Sequence, residues 1–242
     1  GRADRQTVIA PLRLARGVKG AGMTGSVRIG LFGGLQAHDG GRGLDLGGPK
    51  QRAVLAVLAL DPGRAASPLR LIALVWGEHV PNRAEVSPGR AASPSRLIDL
   101  VWGEHVPNRA EVSLQAYVSN LRRVLEPDRL PRQAPRLLLT HPAGYSLAVG
   151  REQVDVTRFE DLAARGHQQL VDGDPDEAAA TFDAALAVFV GDLLPELAEE
   201  PWVVEAAARL HEVRATALED RFDAGLTLGE HRAMAQRIDA AV

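Results

Sequence analysis

The sequence predicts an α+β front half followed by an all-α back half, and three observations carry that reading. Residues 27–150 hold short alternating apolar runs, several helical segments and a late hairpin pattern, whereas from residue 151 onward the apolar residues recur at helical spacing. Charge divides at the same place: the overall −3 resolves into +4 over residues 1–23, +5 over 24–150 and −12 over 151–242. The length of 242 residues, 45% of them hydrophobic, suits one or two domains with real cores. A basic front and an acidic back suggest a nucleic-acid-binding part joined to a protein-interaction part.

Composition excludes several classes of chemistry. With no cysteine there are no disulfides, thiolate zinc sites or thiol nucleophiles, and the chain suits a reducing cytoplasm. The longest unbroken apolar run, Ala53 to Leu60, falls well short of the roughly 20 residues of a membrane span, so no membrane partner is expected. The seven histidines show no ligand spacing, and the acidic residues of the back half are dispersed without a catalytic frame. Neither an enzyme nor a cofactor is therefore expected. Only Lys19 and Lys50 accompany the 26 arginines, a composition that points to GC-rich codons.

Residues 1–26 read as a disordered leader, with a basic arm that grips phosphates as the alternative; Met23, just before the first strand-like stretch, is a candidate start. Val27, Ile29 and Leu31, then Leu35 and Ala37, a Gly40-Gly41 turn, and Leu44 and Leu46 predict a small antiparallel sheet. Gly48-Pro49-Lys50 opens a helix that runs through Leu60 with Val54, Leu55, Val57, Leu58 and Leu60 on its buried side. No Gly-Lys-Ser/Thr follows the glycines, so they form no phosphate loop.

An internal repeat comes next. Residues 62–87 recur at 88–113, differing only at Leu69/Ser95 and Ala73/Asp99, which marks a recent tandem duplication or an artefact. Each copy holds a short helix opened by Ser-Pro and closed by Trp-Gly. Ser95 and Asp99 stand four apart and give the second copy a polar side, so 94–103 is expected to pack before the following helix. The first copy, 68–76, is then an extra helix whose Leu69, Leu71, Ile72, Leu74, Val75 and Trp76 need other cover.

Leu114, Tyr117, Val118, Leu121, Val124 and Leu125 follow helical spacing, with Ser113 as cap and Pro127 as stop. The other face offers Gln115, Ser119, Asn120, Arg122 and Arg123. Arginine grips guanine bidentately, Asn or Gln does so for adenine, and Ser holds a phosphate oxygen; an ordinary solvated face remains the alternative. Residues 136–140 and 145–149 flank His141-Pro142-Ala143-Gly144 as a β-hairpin. A short helix, a polar-faced helix and a hairpin in that order describe a winged helix-turn-helix.

Four segments carry a family resemblance: Gly47-Gly48-Pro49-Lys50-Gln51-Arg52, residues 96–103 (RLIDLVWG), residues 114–125 (LQAYVSNLRRVL) and Gly144-Tyr145-Ser146-Leu147. They resemble the DNA-binding domain of the Streptomyces antibiotic regulatory protein (SARP) family, of the AfsR/DnrI/RedD type. The resemblance implies an OmpR-like winged helix over 27–150, with 114–125 as recognition helix and the hairpin as wing. It further implies that Ser113, Gln115, Ser119, Asn120, Arg122 and Arg123 face DNA, that Arg136, Thr140 and His141 lie near the DNA backbone, and that Tyr145 also belongs to the DNA-binding set.

Behind it, helices are expected over 159–170, 176–189, 201–226 and 230–241. Leu162, Gly166, Ala178, Phe182 and Ala185 fall on tetratricopeptide-like spacing, which a plain helical bundle matches equally well. From Val154-Asp155-Val156-Thr157-Arg158-Phe159 onward the wording is similar to the bacterial transcriptional activator domain of the same family, incomplete at Val242. The implied function is activation of transcription from promoters of antibiotic, or secondary-metabolite, genes. The implied partners are double-stranded promoter DNA, RNA polymerase and a second protomer on DNA. The alternative is a degenerate family member, or a helical protein-binding adaptor that binds no DNA.

Overall fold

The computed structural model describes residues 27–76 and 108–230. The leader, the second-copy helix expected at 94–103 and nearly all of the helix expected at 230–241 lie outside the described residues.

Strands β1 (Val27–Gly30), β2 (Gln36–Asp39) and β3 (Arg42–Gly43) form an antiparallel sheet in that order. Val27 pairs with Asp39 and Ile29 with Ala37, so the alternation of the sequence becomes one buried face of Val27, Ile29 and Ala37. Gly40 and Gly41 turn the chain with φ of +55° and +90°, the left-handed pair that a two-residue hairpin turn demands. Helix α1 (Pro49–Ala59) starts on its proline as expected. It buries Val54, Leu55 and Leu58, whereas Val57 and Leu60 are only half-buried. Gln51 is also buried, its amide Nε2 donating to the Leu46 carbonyl at 3.0 Å.

The first repeat copy is not a spare helix. It forms α2 (Pro68–Trp76), packs on α1 and the following helix, and contributes Leu71, Ile72 and Val75 to the core. The physical reason lies in the two positions that distinguish the copies. Ala73 is only 8% exposed, and Asp99 in its place would put a carboxylate where the helix is buried. The polar side read as an asset of the second copy is thus a liability in this slot.

Helix α3 (Asn108–Leu125) begins earlier than Leu114. Ser113 is half-buried inside it rather than capping it, because the apolar stripe extends back to Ala110 and Glu111 supplies an acid in the first turn, where the helix dipole favours it. The stripe of Ala110, Leu114, Val118, Leu121 and Leu125 is buried. Strands β4 (Leu138–His141) and β5 (Gly144–Leu147) form the expected hairpin, with His141 paired to Gly144 across a two-residue turn. The segment before α2 meets the hairpin at a single bridge: Ala66 and Tyr145 exchange backbone hydrogen bonds at 2.8 and 2.9 Å, and the Gly63 N–H donates to the Leu147 carbonyl at 2.8 Å. Three helices and a hairpin wing in this order are the winged helix-turn-helix.

The back half is helical: α4 (Asp155–Asp172), α5 (Pro175–Val188) and α6 (Pro201–Thr227). Helices α4 and α5 approach closely where the small residues predicted it. A Cβ built on Gly166 would lie 2.8 Å from the Phe182 ring, and Phe182 sits among Ala163, Ala178, Ala179, Ala217 and Ala224. Arg221 on α6 is only 6% exposed and is held by Asp183 and Glu230.

The two halves share a core. Val154, Val156, Phe159, Ala185, Leu193, Leu194, Val203 and Leu210 belong to the same apolar cluster as the front sheet and α1–α3. Backbone bonds cross as well: Leu194 N–H donates to Leu31 at 2.9 Å and Gly33 N–H to Asp192 at 2.8 Å. No helix among the described residues is long and apolar enough to cross a membrane.

Candidate nucleic-acid interface

The buried stripe of α3 fixes which residues face outward. Gln115, Ser119 and Arg123 recur every four residues and all three are exposed, so they form one row along the helix. Asn120 is half-buried beside the row. No carboxylate is among these four residues, and Glu111 lies a turn before them.

Arg122 points elsewhere. Its Nε donates to the Leu138 carbonyl at 2.8 Å and its Nη2 to Thr140 Oγ1 at 2.6 Å. Burial lowers its pKa from the ordinary arginine value, with Tyr145 and Glu126 pulling it back and Arg129 adding to the fall. These bonds brace strand β4 against α3, so a side chain expected on the DNA face instead ties the helix to the wing. Thr140 is exposed on the wing and is the acceptor of that brace. His141 Nε2 lies 2.8 Å from Ser146 Oγ, which ties the two wing strands near their turn. Tyr145 is half-buried and bonds Ala66 through its backbone. Arg136 is exposed at the entry to the wing.

Three further contacts shape this surface. Glu126, directly after α3 and before Pro127, is buried, and its Oε1 accepts the Arg136 and Leu137 N–H groups at 2.7 and 2.5 Å. Its Oε2 lies 3.4 Å from Arg129 Nε. This carboxylate anchors the chain entering the wing; a lone acid at the apolar end of a helix, before proline, was the available signal. The second is the Trp76 ring, stacked on Tyr117 of α3 at 5.9 Å and 20°. The third is Gly144, whose Cβ would lie 2.0 Å from the Ala66 carbonyl oxygen, so no side chain fits where the wing meets the segment before α2.

Among the described residues no group of His, Asp and Glu could hold a metal ion.

Comparison with known proteins agrees with this architecture. Residues 154–242 match the family "Bacterial transcriptional activator domain". The regulatory protein AfsR of Streptomyces coelicolor is 29% identical over 209 residues, which is 86% of this chain and 18% of AfsR. The transcriptional regulator RedD of the same organism is 31% identical over 215 residues, 87% of this chain and 53% of RedD. The transcriptional regulatory protein EmbR of Mycobacterium tuberculosis is 29% identical over 213 residues. A solved structure of EmbR, in complex with a low-affinity phosphopeptide, superposes with a TM-score of 0.71 at 27% identity, covering 89% of this chain and 50% of that one. The chain spans about half the length of RedD and EmbR and far less of AfsR. With a winged helix-turn-helix followed by residues that match the bacterial transcriptional activator domain, the chain is similar in both sequence and fold to SARP-type transcriptional regulators.

Proposed function

We propose that the chain is a sequence-specific DNA-binding activator of transcription, with α3 in the major groove and the β4–β5 hairpin as a wing beside it. The observation that carries this reading is the row of Gln115, Ser119 and Arg123, exposed in register on a helix whose wing Arg122 holds in place. Arg123 and Gln115 read base edges, Ser119 and Ser113 reach phosphate oxygens, and Asn120 supplements the row. Arg136, His141, Thr140 and Tyr145 support or approach the flanking backbone. Arg122 contributes by orientation, and its own guanidinium is already engaged. Residues 27–150 form the DNA-binding part and 151–242 the activator part. With its −12 charge the latter faces protein rather than phosphate. In this reading two protomers bind direct repeats near a promoter of secondary-metabolite genes and recruit RNA polymerase, in the cytoplasm.

The test is binding to a duplex that the full chain itself selects from a randomised library. Arg123→Ala and Gln115→Ala should each weaken that complex by about 1–3 kcal/mol if the side chain contacts a base, with the melting temperature unchanged. Wild-type affinity should fall with salt at a log–log slope of about −0.9 per neutralised phosphate. Wild-type affinity in the triple Gln115, Ser119 and Arg123 alanine variant would overturn the assignment. Transcription from a promoter that carries the selected duplex then tests activation.

A further inference from the structure

Helix α2 has only nine residues, and isolated helices of this length are marginal in water. The carbonyls of a helix's last turn have no intrahelical donor. Two in the last turn of α2 receive donors from other elements. Trp202, in the first turn of α6, donates its indole Nε1–H to the Leu74 carbonyl at 3.2 Å. Lys50, in the first turn of α1, donates its ammonium to the Val75 carbonyl at 2.5 Å and lies 5.5 Å over the Trp76 ring. The next residue, Trp76, stacks on Tyr117 in the middle of α3. Consecutive residues of one short helix therefore touch the activator part, the first helix and the recognition helix.

The geometry points to Trp202 as a positioning residue for the recognition helix: by capping α2 from the activator part, it fixes where Trp76 meets Tyr117 and hence how α3 is presented. The inference rests on the reading that α3 contacts DNA. Leu74 and Trp202 also line an open groove of about 410 Å³ with Arg70, Glu160, Glu205 and Arg209, so water can reach the Leu74 carbonyl if the indole donor is lost. The bond therefore has little leverage on overall stability and more on the position of α2. Lys50 alone cannot replace it, because its three donors sit on a flexible stem around Val75 and Trp76.

Trp202→Phe removes the donor and keeps an aromatic ring. Two measurements on the full chain decide the matter. In the free protein, amide hydrogen exchange should speed up in peptides covering 68–76 and 114–125, with 27–43 and 175–188 unchanged. On DNA, affinity for the selected duplex should fall about threefold to tenfold, the range expected for one hydrogen bond, while affinity for random duplex and the salt slope stay as in wild type. Tyr117→Leu should cause a similar loss, and the double variant should be no weaker than the weaker single one, because the two residues act in series. Unchanged exchange in 114–125, a general rise across all helices, or additive losses would each overturn the proposal. If wild type selects no duplex, the DNA-reading role itself fails, while the exchange measurement still decides whether Trp202 controls α3.

Discussion

Asp155 and Glu196 both take hydrogen bonds from the front of the molecule, and their pKa values move in opposite directions. Asp155 accepts the Leu31 N–H at 2.8 Å and the Phe32 N–H at 3.0 Å. Burial pushes its carboxyl above the ordinary range, against the pull of those N–H groups. Glu196 accepts the Leu35 N–H at 2.9 Å and Arg52 at 2.8 Å. Burial raises it too, but those donors outweigh burial and hold it below the ordinary range. Between its ordinary and raised values, native Asp155 binds more protons than the unfolded chain, so its contribution to stability falls as pH rises through that window. Glu196 does the reverse: its contribution is full above the ordinary carboxylate value and is lost as pH falls through its depressed one. Urea unfolding across the acid range should therefore show the penalty of Glu196→Gln largest near neutral pH and shrinking on acidification. The wild-type advantage over Asp155→Asn should shrink as pH rises through the Asp155 window. Parallel pH profiles for the two variants would contradict this assignment.

The wing shows how much an element depends on contacts that leave no periodic trace. Sheet, α1, hairpin and back-half helices were legible because burial alternates every two residues in strands and recurs every three to four in helices. The exposed row of α3 was legible for the same reason. The turn of Arg122 toward Leu138 was not, because its acceptor is a backbone carbonyl and no side-chain pattern announces it. Nor was the Ala66–Tyr145 bridge that ties the wing to the segment before α2. The start of α3 was not legible either, because a serine ahead of an apolar stripe reads as a cap, whereas the helix already runs from Asn108. The Ala66 pairing has a consequence that can be measured. Gly144 has φ +134°, and a Cβ there would lie 2.0 Å from the Ala66 carbonyl oxygen and 2.8 Å from Ser67 Cα, both of them backbone. Gly144→Ala should destabilise the protein by several kcal/mol or detach the wing, and should lower affinity for the selected duplex. Gly40→Ala meets nothing within 4 Å and carries only the left-handed backbone penalty, about 1–2 kcal/mol, with DNA affinity intact. Equal losses at the two glycines, in melting and in DNA binding, would show that the wing contact is not tight.

At the scale of the whole molecule, the front and back halves unite through one apolar cluster, so a change in α2 is felt on both sides of it. That helix is where the sequence offered two nearly identical occupants and the choice between them rested on two residues. Deleting 62–87 leaves a single copy with Ser95 and Asp99, and deleting 77–102 leaves a single copy with Leu69 and Ala73; the Trp-Gly junction survives in both. The shortened chains are otherwise identical, so any difference in their stability belongs to those two positions. Ala73 is 8% exposed and Leu69 is half-buried. Aspartate at the first position must lose hydration or push α2 outward, and serine at the second gives up apolar cover. The 77–102 deletion should therefore be the more stable by about 1–3 kcal/mol in urea unfolding, with a single transition in each chain. If the chain that carries Ser95 and Asp99 is equally stable or more so, the slot before α3 accepts the second copy, and the burial of Ala73 does not decide which copy fills it.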